Sequence, residues 1–233
     1  MTEHDIVFLL DCDNTLLDND RVQLDLRDHL EREFGRECRD RYWAIFEERR
    51  TELGYSDYLG ALQAYRDRHE WDTRLLTMSS FLVDYPFAER LYPSTFDVIR
   101  RLSRLGLPVI LSDGDVVFQP RKVERSGLWS AVDGRVLIYI HKETMLDAVA
   151  AEFPARHYVM IDDKLRVLTM MKNEWRDRLT TVFPRQGHYA SDPEILATYP
   201  SADLAVDRIS DLIAYERSAF LDAAVVRGLH EER

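Results

Sequence analysis

Residues 6–15 read Ile-Val-Phe-Leu-Leu-Asp-Cys-Asp-Asn-Thr. Five apolar residues run without a break into two carboxylates, an amide and a hydroxyl. A continuous apolar run of this length, bounded by polar residues, is the pattern of a strand buried on both faces. It is far shorter than a membrane span, and Glu3 and Asp5 precede it where a leader segment would carry basic residues. A strand covered on both faces needs helices on both sides, and that requirement points to a parallel α/β sheet.

The pattern changes abruptly after this strand. Val22, Leu26, Leu30 and Phe34 recur at helical spacing and Gly35 supplies a stop; Tyr42, Ile45, Phe46 and Leu53 make a second stripe ending at Gly54. Leu59, Leu62 and Tyr65 form a third, with Ser56 predicted as its N-cap, and Leu75 to Val83 a shorter fourth. Residues 18–89 are therefore predicted to be all-helical. From Pro93 helices alternate with short apolar strands. Ser94 and Asp97 are spaced like a capping box before Val98, Ile99, Leu102 and Leu105, and Gly106 follows. Strands are predicted at 109–111, 136–140, 158–161, 180–183 and 204–206. The expected fold is a doubly wound parallel sheet.

In such sheets ligands bind beyond the carboxyl ends of the strands. The residues standing there are Asp11-Cys12-Asp13-Asn14-Thr15, then Ser112-Asp113-Gly114, then Lys142, then Asp162-Asp163. Four strands thus bring acids, a hydroxyl and an ammonium to one edge. Two unit charges 4 Å apart repel by about 4 kcal/mol at an effective dielectric near 20, so Asp11, Asp13, Asp162 and Asp163 need a cation to cluster. Oxygen-only ligation, with no His or Cys from this set, selects a hard ion, Mg2+ before calcium where a phosphate oxygen and waters complete an octahedron.

These residues resemble the motifs of the haloacid dehalogenase superfamily. Asp11-x-Asp13-x-Thr15 after a strand is similar to the first motif, Ser112 to the second, Lys142 to the third and Asp162-Asp163 to the fourth, in matching order. The resemblance spans the chain. It implies a Rossmann-like catalytic core over 1–17 and 90–233, with an all-helical cap subdomain inserted at 18–89. It implies a phosphatase acting on a small phosphorylated substrate, with Asp11 as nucleophile forming an aspartyl phosphate. Asp13 would be the acid and then the base, its main-chain carbonyl a metal ligand. Thr15, Ser112 and Lys142 would bind phosphate; Asp11, Asp13, Asp162 and Asp163 would hold Mg2+, with Asp163 in the inner or outer shell. Gln119 and Lys122 after Gly114-Asp115 are similar to small-molecule phosphatases, nucleotidases among them.

Within the superfamily, a dehalogenase needs neither Asp13 as acid nor a metal, and a phosphonate-cleaving member needs a cap lysine that 18–89 lacks. A phosphomutase stays open, as does a catalytically silent phosphate-binding protein. A signalling receiver domain gathers similar residues but has the acidic pair first and the phosphoacceptor later. The net charge of −11 disfavours nucleic acid and anionic membrane as partners. The only cysteines, Cys12 and Cys38, form neither a disulfide framework nor a zinc site, which suits the cytoplasm. Arg121, Lys122 and the Arg49-Arg50 pair read as solvated helix faces, His188 and Tyr189 as a surface loop, and Trp43, Trp71, Trp129, Trp175 and Met170-Met171 as packing residues.

Overall fold

A computed structural model describes residues 3–68 and 73–223. The elements run β1 (His4–Leu10), α1 (Asn19–Phe34), α2 (Arg36–Leu53), α3 (Tyr58–Arg68), α4 (Leu75–Asp84), α5 (Thr95–Ser103), β2 (Leu107–Asp113), α6 (Phe118–Arg125), α7 (Leu128–Ala131), β3 (Val136–Tyr139), α8 (Leu146–Glu152), β4 (Ala155–Ile161), α9 (Leu165–Trp175), β5 (Leu179–Pro184), α10 (Pro193–Thr198) and β6 (Leu204–Val206). The strands form one six-stranded sheet in the order β3-β2-β1-β4-β5-β6, every pairing parallel. This is the doubly wound α/β architecture. The chain first winds outward from β1 through β2 to β3, then crosses back to β4 on the other side of β1, so the switch point lies between β1 and β4.

Burial of both sheet faces explains the apolar runs. Along β1, Ile6, Phe8 and Leu10 enter one hydrophobic cluster and Val7 and Leu9 the opposite one. The first cluster is the larger. It joins the sheet to Val22 and Leu26 of α1, Tyr42 and Phe46 of α2, Tyr58 of α3 and Val98 of α5. The second packs Leu146 of α8 and Leu168, Met171 and Trp175 of α9 against the other face, with Trp175 stacked on Tyr158 at 4.1 Å. Trp43 packs against the first cluster. Trp129 and Met170, predicted to pack, are 39% and 42% exposed, whereas the neighbouring Leu128 and Met171 take the inward positions. Trp71 lies outside the described residues.

Two caps differ from the sequence expectation. Asp57, not Ser56, caps α3, its Oδ1 accepting from Gly60 N at 2.8 Å. Ser94 adopts φ 65° and makes no side-chain cap, and Asp97 instead pairs with Arg100 at 2.8 Å. No helix among the described residues is long and apolar enough to cross a membrane.

Helices α1 to α4 leave and rejoin the sheet through one narrow crossing. Leu17 bridges Leu91 antiparallel, Asp18 N donates to Arg90 O at 2.7 Å, and Tyr92 N donates to Leu16 O at 2.9 Å. Behind this crossing, the turn into β2 passes close to β1: a Cβ on Gly106 would stand 2.5 Å from Ile6 O and 3.0 Å from Ile6 Cβ. Neither atom can move without shifting β1, the central strand. Gly106→Ala should therefore lower unfolding free energy by about 1–3 kcal/mol, the usual cost of overpacking. Urea unfolding checks it, and an unchanged midpoint would mean that the β1–β2 edge gives way freely.

Candidate functional site

Backbone pairing sets the positions at the carboxyl edge. Asp11 N donates to Ile161 O at 3.0 Å and Asp162 N to Val182 O at 3.1 Å, so the residues after β1 and β4 stand side by side at the switch point. The loop after Asp11 folds on itself: Leu16 N and Leu17 N both donate to Cys12 O, at 2.9 and 3.0 Å. Asn14 sits in this loop at φ 59°, a left-handed conformation that Asn tolerates better than most residues. Its Oδ1 accepts from Asn19 N at 3.0 Å and Asp20 N at 3.1 Å, which fastens the start of α1 to the loop. Gly187 approaches so closely that a Cβ would fall 2.6 Å from Asn14 Cβ.

Three of the four predicted acids converge. Carboxylate oxygens of Asp11, Asp162 and Asp163 lie within 4.8 Å of one another, all in buried residues. Lys142 Nζ, also buried, donates to Asp11 Oδ1 at 2.5 Å and Leu111 O at 3.2 Å and stands 2.7 Å from Asp162 Oδ2 as an ion pair. Asp113 Oδ1 accepts from Lys142 N at 2.8 Å and so holds the residue in place. Asp162 Oδ1 accepts from Lys164 N at 2.7 Å. Asp11 Oδ2, Asp162 Oδ2 and both oxygens of Asp163 are buried without a hydrogen-bond donor.

The electrostatics follow from this crowding. Burial pushes Asp162 up to about 6 and Asp163 well above the ordinary carboxyl range, with Lys142 and Lys164 opposing it only in part. Burial alone would lower Lys142, but Asp11 and Asp162 outweigh it and hold the ammonium charged. The two ammoniums of Lys142 and Lys164 leave oxygens of all three carboxylates without a donor. Buried acid oxygens that lack donors and share one small region are the donor set a hard cation takes, and the residues fit such an ion.

The remaining predicted residues fall into place differently. The Asp13 carboxylate stands apart from the cluster, with Lys122 Nζ at 2.7 and 2.8 Å from its two oxygens and Gln119 Nε2 at 3.4 Å. Thr15 Oγ1 accepts from Asp163 N at 3.1 Å, so its hydroxyl ties the first acidic loop to the last. Ser112 is buried, and its Oγ accepts from Gln119 Nε2 at 3.0 Å.

Lys122 corrects the sequence reading: it is fully buried, not on a solvated face. Phe118, Gln119, Lys122 and Val123 form the inward side of α6, and their spacing was the available signal. Gly114 permits the approach, because a Cβ there would meet Gln119 Cβ at 2.5 Å. Arg49 likewise pairs with Asp57 at 2.5 Å rather than facing water alone, while Arg50 pairs with Glu47 at 2.9 Å. His188 N and Nδ1 contact the Asp20 carboxylate at 2.8 and 2.6 Å, which binds the loop after β5 to the first turn of α1. Lys164, beside the acid cluster, was not singled out from sequence; Asp163 outweighs its burial and raises it.

Residues 7–173 match the family model of haloacid dehalogenase-like hydrolases. A protein from Burkholderia xenovorans LB400, described as a haloacid dehalogenase-like hydrolase, is 66% identical and superposes with a TM-score of 0.89 over 91% of this chain and 99% of its own. Two more distant structures share the fold. A hydrolase of this superfamily from Bacillus subtilis, bound to magnesium, is 15% identical with a TM-score of 0.58, covering 91% of this chain and 97% of that one. An L-2-haloacid dehalogenase is 17% identical with a TM-score of 0.62, covering 91% and 98%. No curated protein matches the chain.

The raised carboxyls set a pH dependence for the protein in excess chelator. A folded-state value above the unfolded one, near 3.9, favours the fold while the group is protonated, and that contribution is lost as pH rises through the folded value. For Asp162 the window runs from about pH 4 to 6, and Asp163 shifts in the same direction. Asp163→Asn, which removes one of the two crowded acids, should therefore stabilise the protein more at pH 7.5 than at pH 4.5, by on the order of 1–2 kcal/mol. Denaturant unfolding of both proteins at the two pH values measures this, and an equal difference at both would contradict it.

Proposed function

Because the chain belongs to the haloacid dehalogenase-like hydrolases, we propose that it is a magnesium-dependent phosphomonoester hydrolase that acts on a small phosphorylated metabolite through an aspartyl phosphate on Asp11. The observation that carries this reading is a division of labour among carboxylates. Asp11, Asp162 and Asp163 crowd together with four oxygens lacking hydrogen-bond donors, while Asp13, two residues from Asp11, is held apart by Lys122. A hydrolase that only displaces halide needs no acid for its leaving group and no metal-binding triplet. A phosphate ester needs both.

The chain's own residues supply the steps. Lys142 engages Asp11 Oδ1 and leaves Oδ2 without a partner, so Oδ2 is the oxygen that attacks phosphorus. As that bond forms, the bond from phosphorus to the ester oxygen breaks, and the departing oxygen takes the proton of Asp13. Asp13, now a carboxylate, takes a proton from water as the water oxygen bonds to phosphorus. The acyl phosphate bond breaks, phosphate leaves, and the Asp11 carboxylate returns. Ser112 accepts from Gln119 at 3.0 Å and donates only at 3.4 Å to Asp113 O, a long bond that its proton would leave for a phosphoryl oxygen. Lys142 offsets charge around Asp11 and the phosphate. Asp11, Asp162 and Asp163, with the Asp13 main-chain carbonyl, would hold magnesium, which would supply the positive charge that Lys142 and Lys164 leave short.

Residues 18–89 act in this reading as a cap that excludes water and selects the substrate, and the cytoplasm is its compartment, supported by the buried free thiols of Cys12 and Cys38. Asp11→Asn should abolish turnover and form no covalent phosphate. Asp13→Asn should still accept phosphoryl from an aryl phosphate, whose leaving group needs little protonation, yet accumulate the phosphoenzyme because water attack is slowed. Rapid acid quench and intact-mass measurement separate the two variants, and the reverse pattern would exchange the roles. Chelation of magnesium should stop hydrolysis of aryl phosphates; full turnover in excess chelator would remove the metal from the scheme.

A further inference from the structure

Lys122 is a fully buried ammonium for which the steps above have no use. It projects from α6, part of the sheet's own helical layer, and its partners come from two directions. Both oxygens of Asp13 lie within 2.8 Å on one side. On the other, Asn19 Oδ1 accepts at 3.1 Å, and the ring of Tyr58 lies 5.9 Å away, with Phe118 of α6 itself at 5.4 Å. Asn19 opens α1 and donates from Nδ2 to Tyr58 OH of α3 at 3.4 Å. An ammonium withheld from water must keep acceptors around it, and here one acceptor is the Asp13 carboxylate and the other belongs to the inserted helices.

We propose that Lys122 is a positioning residue that fixes the direction in which Asp13 presents its proton, and that its grip on Asn19 and Tyr58 makes this direction depend on the seating of helices α1 and α3. The inference rests on the phosphohydrolase reading above and adds to it a residue that the motifs do not contain. Its physical basis is the geometry of the pair. Asp13 sits on an irregular loop with 22% of its side chain exposed, and a free carboxylate there could turn toward water. With Lys122 Nζ bonded to both oxygens, a proton arriving on either one loses that oxygen as an acceptor for the ammonium. The new O–H is driven away from Lys122, toward the open side where the departing oxygen stands, while the other oxygen keeps the ammonium. Lys122 holds its own proton throughout. When Asp13 has released its proton, both contacts re-form and the carboxylate is held for the attacking water. A solvent-exposed ion pair would fix no such direction.

The test reads dependence on the leaving group, which a loss of packing alone would not change. Turnover of alkyl phosphates, which need the proton, is compared with that of p-nitrophenyl phosphate, which scarcely does, in wild type and in Lys122→Met, an apolar replacement of similar length. The ratio of alkyl to aryl kcat/KM, which reports only the steps through departure of the leaving group and not the shared attack of water, should fall about tenfold or more in the variant, within the range that general acid catalysis contributes. An equal fall on both esters, or an unchanged ratio, would overturn the proposal. Should Lys122→Met give no cooperative thermal melt, Asn19→Ala replaces it: the ion pair stays, its second anchor is lost, and the ratio should fall in the same direction by a smaller factor. A ratio unmoved in Asn19→Ala would remove the link to the inserted helices. Wild-type protein that hydrolyses no phosphomonoester in magnesium would sink the functional reading and this one together. An Asp11 phosphoenzyme with an unmoved ratio would sink this one alone.

Discussion

Asp11, Asp162 and Asp163 are drawn to one edge of the sheet although their charges repel, and Lys142 touches only two of them. Much of the surrounding geometry serves this constraint. Parallel pairing of β1 with β4 brings the acids level, because Asp11 N and Asp162 N continue the ladders beyond the strands. Thr15 spends its hydroxyl on Asp163 N, and Asp113 spends a carboxylate oxygen on Lys142 N. Each of these bonds keeps a charged group where it would not stay by itself. A site that concentrates like charge in a buried place opposes folding, and the two hydrophobic clusters on either side of the sheet supply the opposing stability.

The strands were legible because the central ones are buried on both faces, so apolar residues dominate them, and in β1 and β4 the strand stops where the first acid stands. That same feature singles out Asp11, Ser112, Lys142 and Asp162-Asp163 in the sequence as residues of the carboxyl edge, where the structure places them. Lys122 was not legible in that way. A lysine in a short helix between arginines is outward-facing by every compositional expectation, and what turns it inward is the shape of its surroundings: Gly114 lets α6 come close, and Asp13 and Asn19 wait for the ammonium. Caps failed for a related reason. Ser56 and Asp57 are both competent caps, and only the backbone direction at Gly60 decides between them. Asn14 was only the unspecified residue of the Asp13-x-Thr15 pattern, yet its side chain joins the acidic loop to α1.

The acidic loop is thus connected outward on two sides. Asn14 and Asp20 link it to α1 and, through His188, to the loop after β5. Asp13 links it to α6 through Lys122, and Lys122 links α6 to α1 and α3. A displacement of α1 would be felt at two adjacent residues of the stretch from Asp11 to Thr15, directly at Asn14 and through Lys122 at Asp13. Asp13 and helices α1 and α3 are parts of one bonded network.

The narrow crossing of residues 16–18 against 90–92 carries a consequence for the history of such a chain. Outgoing and returning backbone run side by side and are bonded to each other, so the sheet meets the same closed junction whatever lies beyond it. Loop closure is nearly indifferent to the number of residues enclosed, since each doubling costs only about 0.6 kcal/mol. A gene could lengthen, shorten or exchange the segment past Leu17 and Leu91 without re-solving the sheet. The crossing works as a socket, and the helices plugged into it are free to diversify while the strand ends stay the same.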